Sequence, residues 1–125
     1  MKTSRRALGD LGEDVALEYL ERLGHVVLER NWMAGHLEVD LVTLDGAGVH
    51  FVEVKSRTAP VIADPEENVT AAKRRRLCRA ALKYVHGQGR VPADAELFFD
   101  IVTVVFDGGG TEIKYYPQAF IPIYV

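Results

Sequence analysis

A single cysteine, Cys78, rules out an internal disulfide and fits a reducing, cytoplasmic compartment. Long apolar runs are missing as well. None approaches the roughly 20 residues needed to cross a bilayer, so no membrane association is expected. The first residues are basic, but Asp10, Glu13, Asp14, Glu18 and Glu21 follow at once and break up the apolar stretch that a secretory signal requires. There is no internal repeat, low-complexity tract or linker. A single domain over residues 1–125 is therefore expected. An excess of positive charge is also lacking. The net charge of −3 argues against a protein that coats nucleic acid through bulk charge. A local site stays open, because carboxylates that hold metal ions would themselves lower the total.

What is present reads as a soluble α/β chain, with 48% hydrophobic and 26% charged residues. Leu8, Leu11, Val15, Tyr19 and Leu23 recur at helical spacing and predict a helix over residues 4–23, with Gly24 as its stop. Gly9 and Gly12 lie on or beside that stripe and would let the helix approach a neighbour closely. Strands are predicted over residues 25–32, 37–44 and 49–56. The turn Asp45-Gly46-Ala47-Gly48 separates the last two. Residues 57–67, with Pro60 and Pro65, read as a loop. A second helix follows over residues 68–86, capped by Asn68 or Thr70 and ended by Gly87. Strands over residues 96–106 and 111–117 complete the order α-β-β-β-α-β-β. A mixed five-stranded sheet with flanking helices buries those faces economically.

In Phe51-Val52-Glu53-Val54-Lys55, alternation puts Phe51, Glu53 and Lys55 on one face and Val52 and Val54 on the other. Simple alternation likewise groups Glu38, Asp40 and Val42 opposite Leu37, Val39 and Leu41. If the two strands form a hairpin, Asp40 lies beside Glu53 and Lys55. Two carboxylates and a backbone carbonyl, such as that of Val54, are sufficient ligands for Mg²⁺. A nearby lysine can orient a water or offset developing charge. A surface salt bridge on a half-exposed sheet accounts for the same three residues.

Two helical positions bear on that choice. Glu13 sits at the border of its apolar stripe, either as a further ligand over the sheet or as a solvated flank. Lys73 falls inside the stripe of Val69, Leu77, Ala80 and Tyr84. Either its stem snorkels past apolar surface, or its ammonium points at a carboxylate or phosphate. The run Lys73-Arg74-Arg75-Arg76, continued by Arg79 and Lys83, reads as a local phosphate-binding strip or a solvated face, and Arg57 could extend it. His25, His36, His50 and His86 show no clustered zinc-ligand spacing. Asp100 opens an apolar strand as an outer partner of the site or as a strand-end cap. The apolar residues Tyr115, Tyr116, Phe120, Ile121, Ile123 and Tyr124 read as a tail docked on the core, or else as a homodimer contact.

The chain closely resembles the YraN-like family of small bacterial proteins over nearly its whole length. The landmarks are Gly9-Asp10-Leu11-Gly12-Glu13, Asn31-Trp32, Glu38-Val39-Asp40-Leu41-Val42, Phe51-Val52-Glu53-Val54-Lys55-Ser56-Arg57, Lys73 and Phe99-Asp100-Ile101-Val102. That family looks like a branch of the PD-(D/E)-x-K nuclease superfamily and is similar in pattern to archaeal Holliday junction resolvases. The resemblance implies a restriction-endonuclease-like fold. Glu13 matches the carboxylate of the first helix, Asp40 the motif aspartate, and Glu53 and Lys55 the E-x-K pair. It also implies Mg²⁺ or Mn²⁺ as cofactor and hydrolysis of a nucleic-acid phosphodiester. Two positions depart from the pattern. Val39 stands in place of the motif proline, and Leu37 stands where close relatives usually have glycine. The function expected is a metal-dependent endonuclease on DNA, branched or damaged, with Lys73, Arg74, Arg76 and Arg57 binding phosphate. The alternatives are a non-catalytic nucleic-acid-binding module on the same fold and a structural or adaptor protein.

Overall fold

The computed structural model describes residues 4–60, 70–87, 90–92 and 94–120. Two helices, α1 (Ser4–Arg22) and α2 (Ala71–Gly87), flank five strands: β1 (Val26–Ala34), β2 (Leu37–Leu44), β3 (Val49–Thr58), β4 (Leu97–Asp107) and β5 (Gly110–Tyr116). The strands lie side by side in sequence order. All neighbours are antiparallel except β3 and β4, which are parallel and joined through α2. This is the mixed α/β arrangement the sequence predicts, consistent with a restriction-endonuclease-like fold. No helix among the described residues is long and apolar enough to cross a membrane.

Each face of the sheet carries one helix. Val39, Val42, Phe51, Phe99 and Ile101 bury against Leu77, Ala80, Ala81 and Tyr84 of α2. Leu41, Val52, Val102 and Val104 bury against Ala16 and Leu20 of α1. The helix stripe predicted for α1 is therefore rotated. Gly12, Ala16 and Leu20 face the sheet, while Leu11 and Leu23 are more than half exposed. The cause is close approach. A Cβ on Gly12 would stand 1.7 Å from Ser56 Oγ and 2.8 Å from Ser56 Cβ, so only glycine fits between α1 and β3. Gly9 meets nothing within 4 Å and has no such role.

Both helices end and begin by identifiable devices. Gly24, at φ +100°, reverses the chain so that His25 N–H reaches Leu20 C=O (3.0 Å) and Gly24 N–H reaches Glu21 C=O (3.0 Å). At α2, Thr70 Oγ1 accepts the Lys73 N–H (3.2 Å), which makes Thr70 the cap. Asn68 lies outside the described residues. In the apolar tail, Phe120 is buried and its ring lies 5.3 Å from that of Phe99, which is the docked arrangement. Ile121, Ile123 and Tyr124 lie outside the described residues.

The strand alternation expected for β2 fails at Asp40. Val39 and Leu37 pack towards α2 and Leu41 towards α1, so Val39 and Leu41 occupy opposite faces rather than one. The same inversion occurs in the neighbouring strand. Arg30 reaches α1, whereas the Trp32 ring lies 5.2 Å from that of Tyr84 in α2. Between them Asn31 adopts φ +53°. A residue in the left-handed region breaks the two-residue period of a strand, and Asp40 sits across from it between the pairs Arg30–Leu41 and Trp32–Val39.

Candidate active-site cleft

The β2–β3 ladder runs from Leu44–Val49 to Leu41–Val52 and stops. Past that point the two strands no longer pair, and Asp40 supplies the missing acceptor. Its Oδ2 takes the Val54 N–H at 2.9 Å. Val54 thus contributes its N–H to the cleft through Asp40. Glu53 and Lys55 project from the next positions of β3 on the side of α2. There Lys55 Nζ and Lys73 Nζ each lie 3.2 Å from the same oxygen, Glu53 Oε1. Of the two fates open to Lys73 in the sequence, the ammonium pointing at a carboxylate is the one found.

Glu13 enters from α1. Its carboxylate is largely buried and held by Arg30 Nε at 3.3 Å, while Arg30 Nη1 binds Asp14 at 2.6 Å. One open depression is lined by Glu13, Asp40, Glu53, Lys55, Arg57 and Lys73. A second adjoins it, sharing Asp40, Glu53 and Lys73 and adding His36, Glu38 and Arg76. Most of the residues singled out in the sequence therefore converge. Arg74 does not, because its guanidinium lies over the Phe120 ring, 5.3 Å from the centroid.

The electrostatics are those of crowded charge. Burial, and then the Glu53 charge, hold the Asp40 carboxyl well above the usual range. The Val54 N–H pulls the other way, and Glu13 and Glu38 add to the rise. Burial also lifts Glu13, with Arg30 and Asn31 opposing. Burial and Lys73 depress Lys55 against the pull of Glu53. Burial opposes the Lys73 charge too, but its contact with Lys55 and the charges of Glu53 and Asp40 hold Lys73 above its ordinary value. Of the two lysines, Lys55 releases its proton more readily.

Hard oxygen donors at a fork in the sheet suit a divalent cation, and the crowding around Asp40 is the kind a cation relieves. The three carboxylates are nevertheless turned to other partners, Asp40 to the Val54 N–H, Glu53 to two lysines and Glu13 to Arg30. Among the described residues the three-residue His/Cys/Asp/Glu group whose ligand atoms lie within 4.8 Å of one another is a different one: His25, Asp45 and His50. No local spacing in the chain announces it, because His25 stands before β1 and His50 lies one strand beyond β2. Asp100 belongs to that group's surroundings. It is fully buried and accepts from His50 Nδ1 (2.6 Å), Tyr115 OH (2.5 Å) and Gln118 N–H (3.0 Å), so it is not a partner of the Asp40 cleft.

A family model described as an uncharacterised protein family, UPF0102, matches residues 12–104. A UPF0102 protein of Geobacter metallireducens is 38% identical over 120 residues, covering 96% of this chain and 97% of the relative. One from Bacteroides thetaiotaomicron is 38% identical over 92% and 93% of the two chains. Another, from Anaeromyxobacter dehalogenans, is 40% identical over 93% and 85%.

Proposed function

Because the chain belongs to the uncharacterised protein family UPF0102, its function has to be argued from the cleft, and we propose that it is an endonuclease dependent on Mg²⁺ or Mn²⁺, acting on branched or damaged DNA. One observation carries this reading. A half-buried carboxylate of raised pKa, Asp40, a second carboxylate, Glu53, and two lysines meet where two strands part, with Glu13 and Arg57 lining the same depression. Groups perturbed by desolvation and by specific charge partners in one cleft are what an acid-base or cation-binding site requires.

In this reading Asp40 and Glu53 hold the cation, with Glu13 in support. The bound cation lowers the pKa of a water and offsets charge on the phosphoryl oxygens. The remaining work falls to the protein. Lys55, the more readily deprotonated lysine, orients the attacking water. Lys73 leaves Glu53 for the phosphate, and Arg57 and Arg76 hold the flanking phosphates. Arg74 and Arg75 are on the same helix, but Arg74 is directed to Phe120 and is left out of this set.

One observation favours a second reading, that of a non-catalytic nucleic-acid-binding module. Glu53 is already neutralised by two lysines, an arrangement complete without a metal. A single assay separates the two. Labelled linear, single-stranded, flapped and four-way-junction DNA are incubated with wild type and Asp40→Asn, with and without Mg²⁺ or Mn²⁺. The nuclease reading expects cleavage that needs both the metal and Asp40. Undiminished cleavage by Asp40→Asn would overturn it. Absence of any cleavage, with both proteins binding DNA alike, selects the binding module.

A further inference from the structure

A second constellation lies on the α1 face of the sheet, at the other end of β2 and β3 from the cleft. His25 and His50 are buried, with side chains 4% and 7% exposed and rings 4.5 Å apart. Asp45 stands between them at the mouth of the β2–β3 turn, with a side chain 26% exposed. The outer nitrogens of both rings are held. His25 Nδ1 bonds Thr43 Oγ1 at 2.7 Å, and His50 Nδ1 bonds Asp100 Oδ2 at 2.6 Å. Both Nε2 atoms are thereby turned to one carboxylate. His50 Nε2 lies 2.8 Å from Asp45 Oδ1, and His25 Nε2 lies 3.6 Å from Oδ2.

The carboxylate itself is anchored. Asp45 Oδ1 accepts the Ala47 and Gly48 N–H groups at 3.0 and 3.2 Å, which leaves Oδ2 facing His25. His25 Nε2 is the anomaly. At 3.6 Å the Asp45 oxygen is too far for a hydrogen bond, and no other partner for this buried nitrogen exists among the described residues. A buried imidazole nitrogen that points at a carboxylate without bonding it is oriented as a ligand would be.

We infer that His25, Asp45 and His50 form a binding site for a divalent transition metal of the zinc class, separate from the Asp40 cleft. Two imidazole nitrogens and one carboxylate oxygen make a ligand set that zinc accepts, with a fourth position left to water from the exposed side of Asp45. Mg²⁺ prefers oxygen ligands throughout and is not suited to it. Thr43 and Asp100 on the two imidazoles, and the turn amides on the carboxylate, are the outer partners that such ligands commonly have. The ion would tie the end of α1 to the β2–β3 hairpin. This inference does not rest on the nuclease reading.

The test uses the full chain, stripped of metal and titrated with Zn²⁺, and with Co²⁺ as a spectroscopic probe. Expected are one Zn²⁺ per chain, visible Co²⁺ bands of nitrogen and oxygen ligation, and a rise in Tm on adding Zn²⁺. Millimolar Mg²⁺ should not displace the ion, and Asp40→Asn should bind it as wild type does. In His25→Gln the affinity should fall by roughly tenfold or more. Asp45→Asn, whose side-chain oxygen can still accept the turn amides, serves as a second variant that keeps the fold and should show the same loss. Absence of binding by wild type, undiminished wild-type affinity in both His25→Gln and Asp45→Asn, or loss of the ion in Asp40→Asn instead would overturn the assignment.

Discussion

At the scale of single residues, Asp40 and Glu53 lie next to each other but should respond to substitution in opposite directions. The Asp40 carboxyl is held above its ordinary value, so the folded chain binds its proton more tightly than the unfolded chain does. The stability linked to it is therefore present below the ordinary aspartate range and is lost as pH rises towards the raised value. At neutral pH, and without divalent ions, seating this carboxyl at the fork of the sheet is a burden on the fold. Asp40→Asn keeps an acceptor for the Val54 N–H and removes that burden. Its Tm should exceed that of wild type by about 3–6 °C at pH 7, with the gain shrinking towards pH 3. Thermal melts at both pH values check this, and a variant less stable than wild type at pH 7 contradicts it.

Glu53 is the reverse case, because it is the shared partner of two cations. Glu53→Gln leaves Lys55, whose side chain is only 9% exposed, charged beside Lys73 with no anion in contact. The expected loss is about 1–3 kcal/mol in denaturant melts at pH 7. Lys55 is already depressed by burial and by Lys73. Removing Glu53 depresses it further, and raising the pH towards 10 discharges it. The deficit should therefore shrink at pH 10. A deficit that stays constant with pH would assign the loss to packing instead of charge.

At the scale of elements, the seating of α1 on β3 makes a paired prediction. Gly12→Ala forces the helix away from Ser56 and should cost about 1–3 kcal/mol. Ser56→Gly in the same chain should restore most of it, since the clash involves Ser56 Cβ as well as Oγ. Gly9→Ala meets no atom and should stabilise the helix by up to about 1 kcal/mol. Chemical denaturation of the four proteins decides the matter.

The element order and the ends of β2 were legible in the sequence, because alternation and turn residues are local signals. So was the meeting of Asp40, Glu53 and Lys55, which needed only a hairpin. The inversion at Asp40 was not legible. It depends on Asn31, one strand away, adopting a positive φ, and nothing in Leu37–Leu44 records that. The rotation of the α1 stripe was hidden for a related reason. Apolar spacing favours Leu11 and Leu23, whereas the distance to Ser56 selects Gly12 and Ala16. The pairing of His25 with His50 joins two distant stretches of sequence, so it could be seen only once the register was known.

At the scale of the whole molecule, a net charge of −3 limits how nucleic acid can be held. The cations that line the cleft are Lys55, Lys73, Arg57 and Arg76, and Lys55 and Lys73 are engaged with Glu53. Binding confined to this cleft should weaken with salt only modestly, with log K against log salt falling at a slope of about −3. Fluorescence anisotropy over a salt series measures it. A slope near −6 or steeper would show that the outer face of α2 carries the contact in place of the cleft.

The parallel pairing of β3 with β4 also sets the order in which the molecule opens and closes. Val49 stands opposite Leu97, 48 positions further along the chain, and this register runs the full length of β3. The β2–β3 hairpin can close across a short turn, whereas the centre of the sheet must wait until the chain has passed through α2. This topology predicts that folding is paced by the arrival of β4, with the acidic hairpin formed before its lysine from α2 is seated. Amide-exchange labelling during refolding would read that order. In the native state the order reverses, with β1 and β5 at the sheet margins exchanging their amide hydrogens first and the buried β3–β4 ladder last.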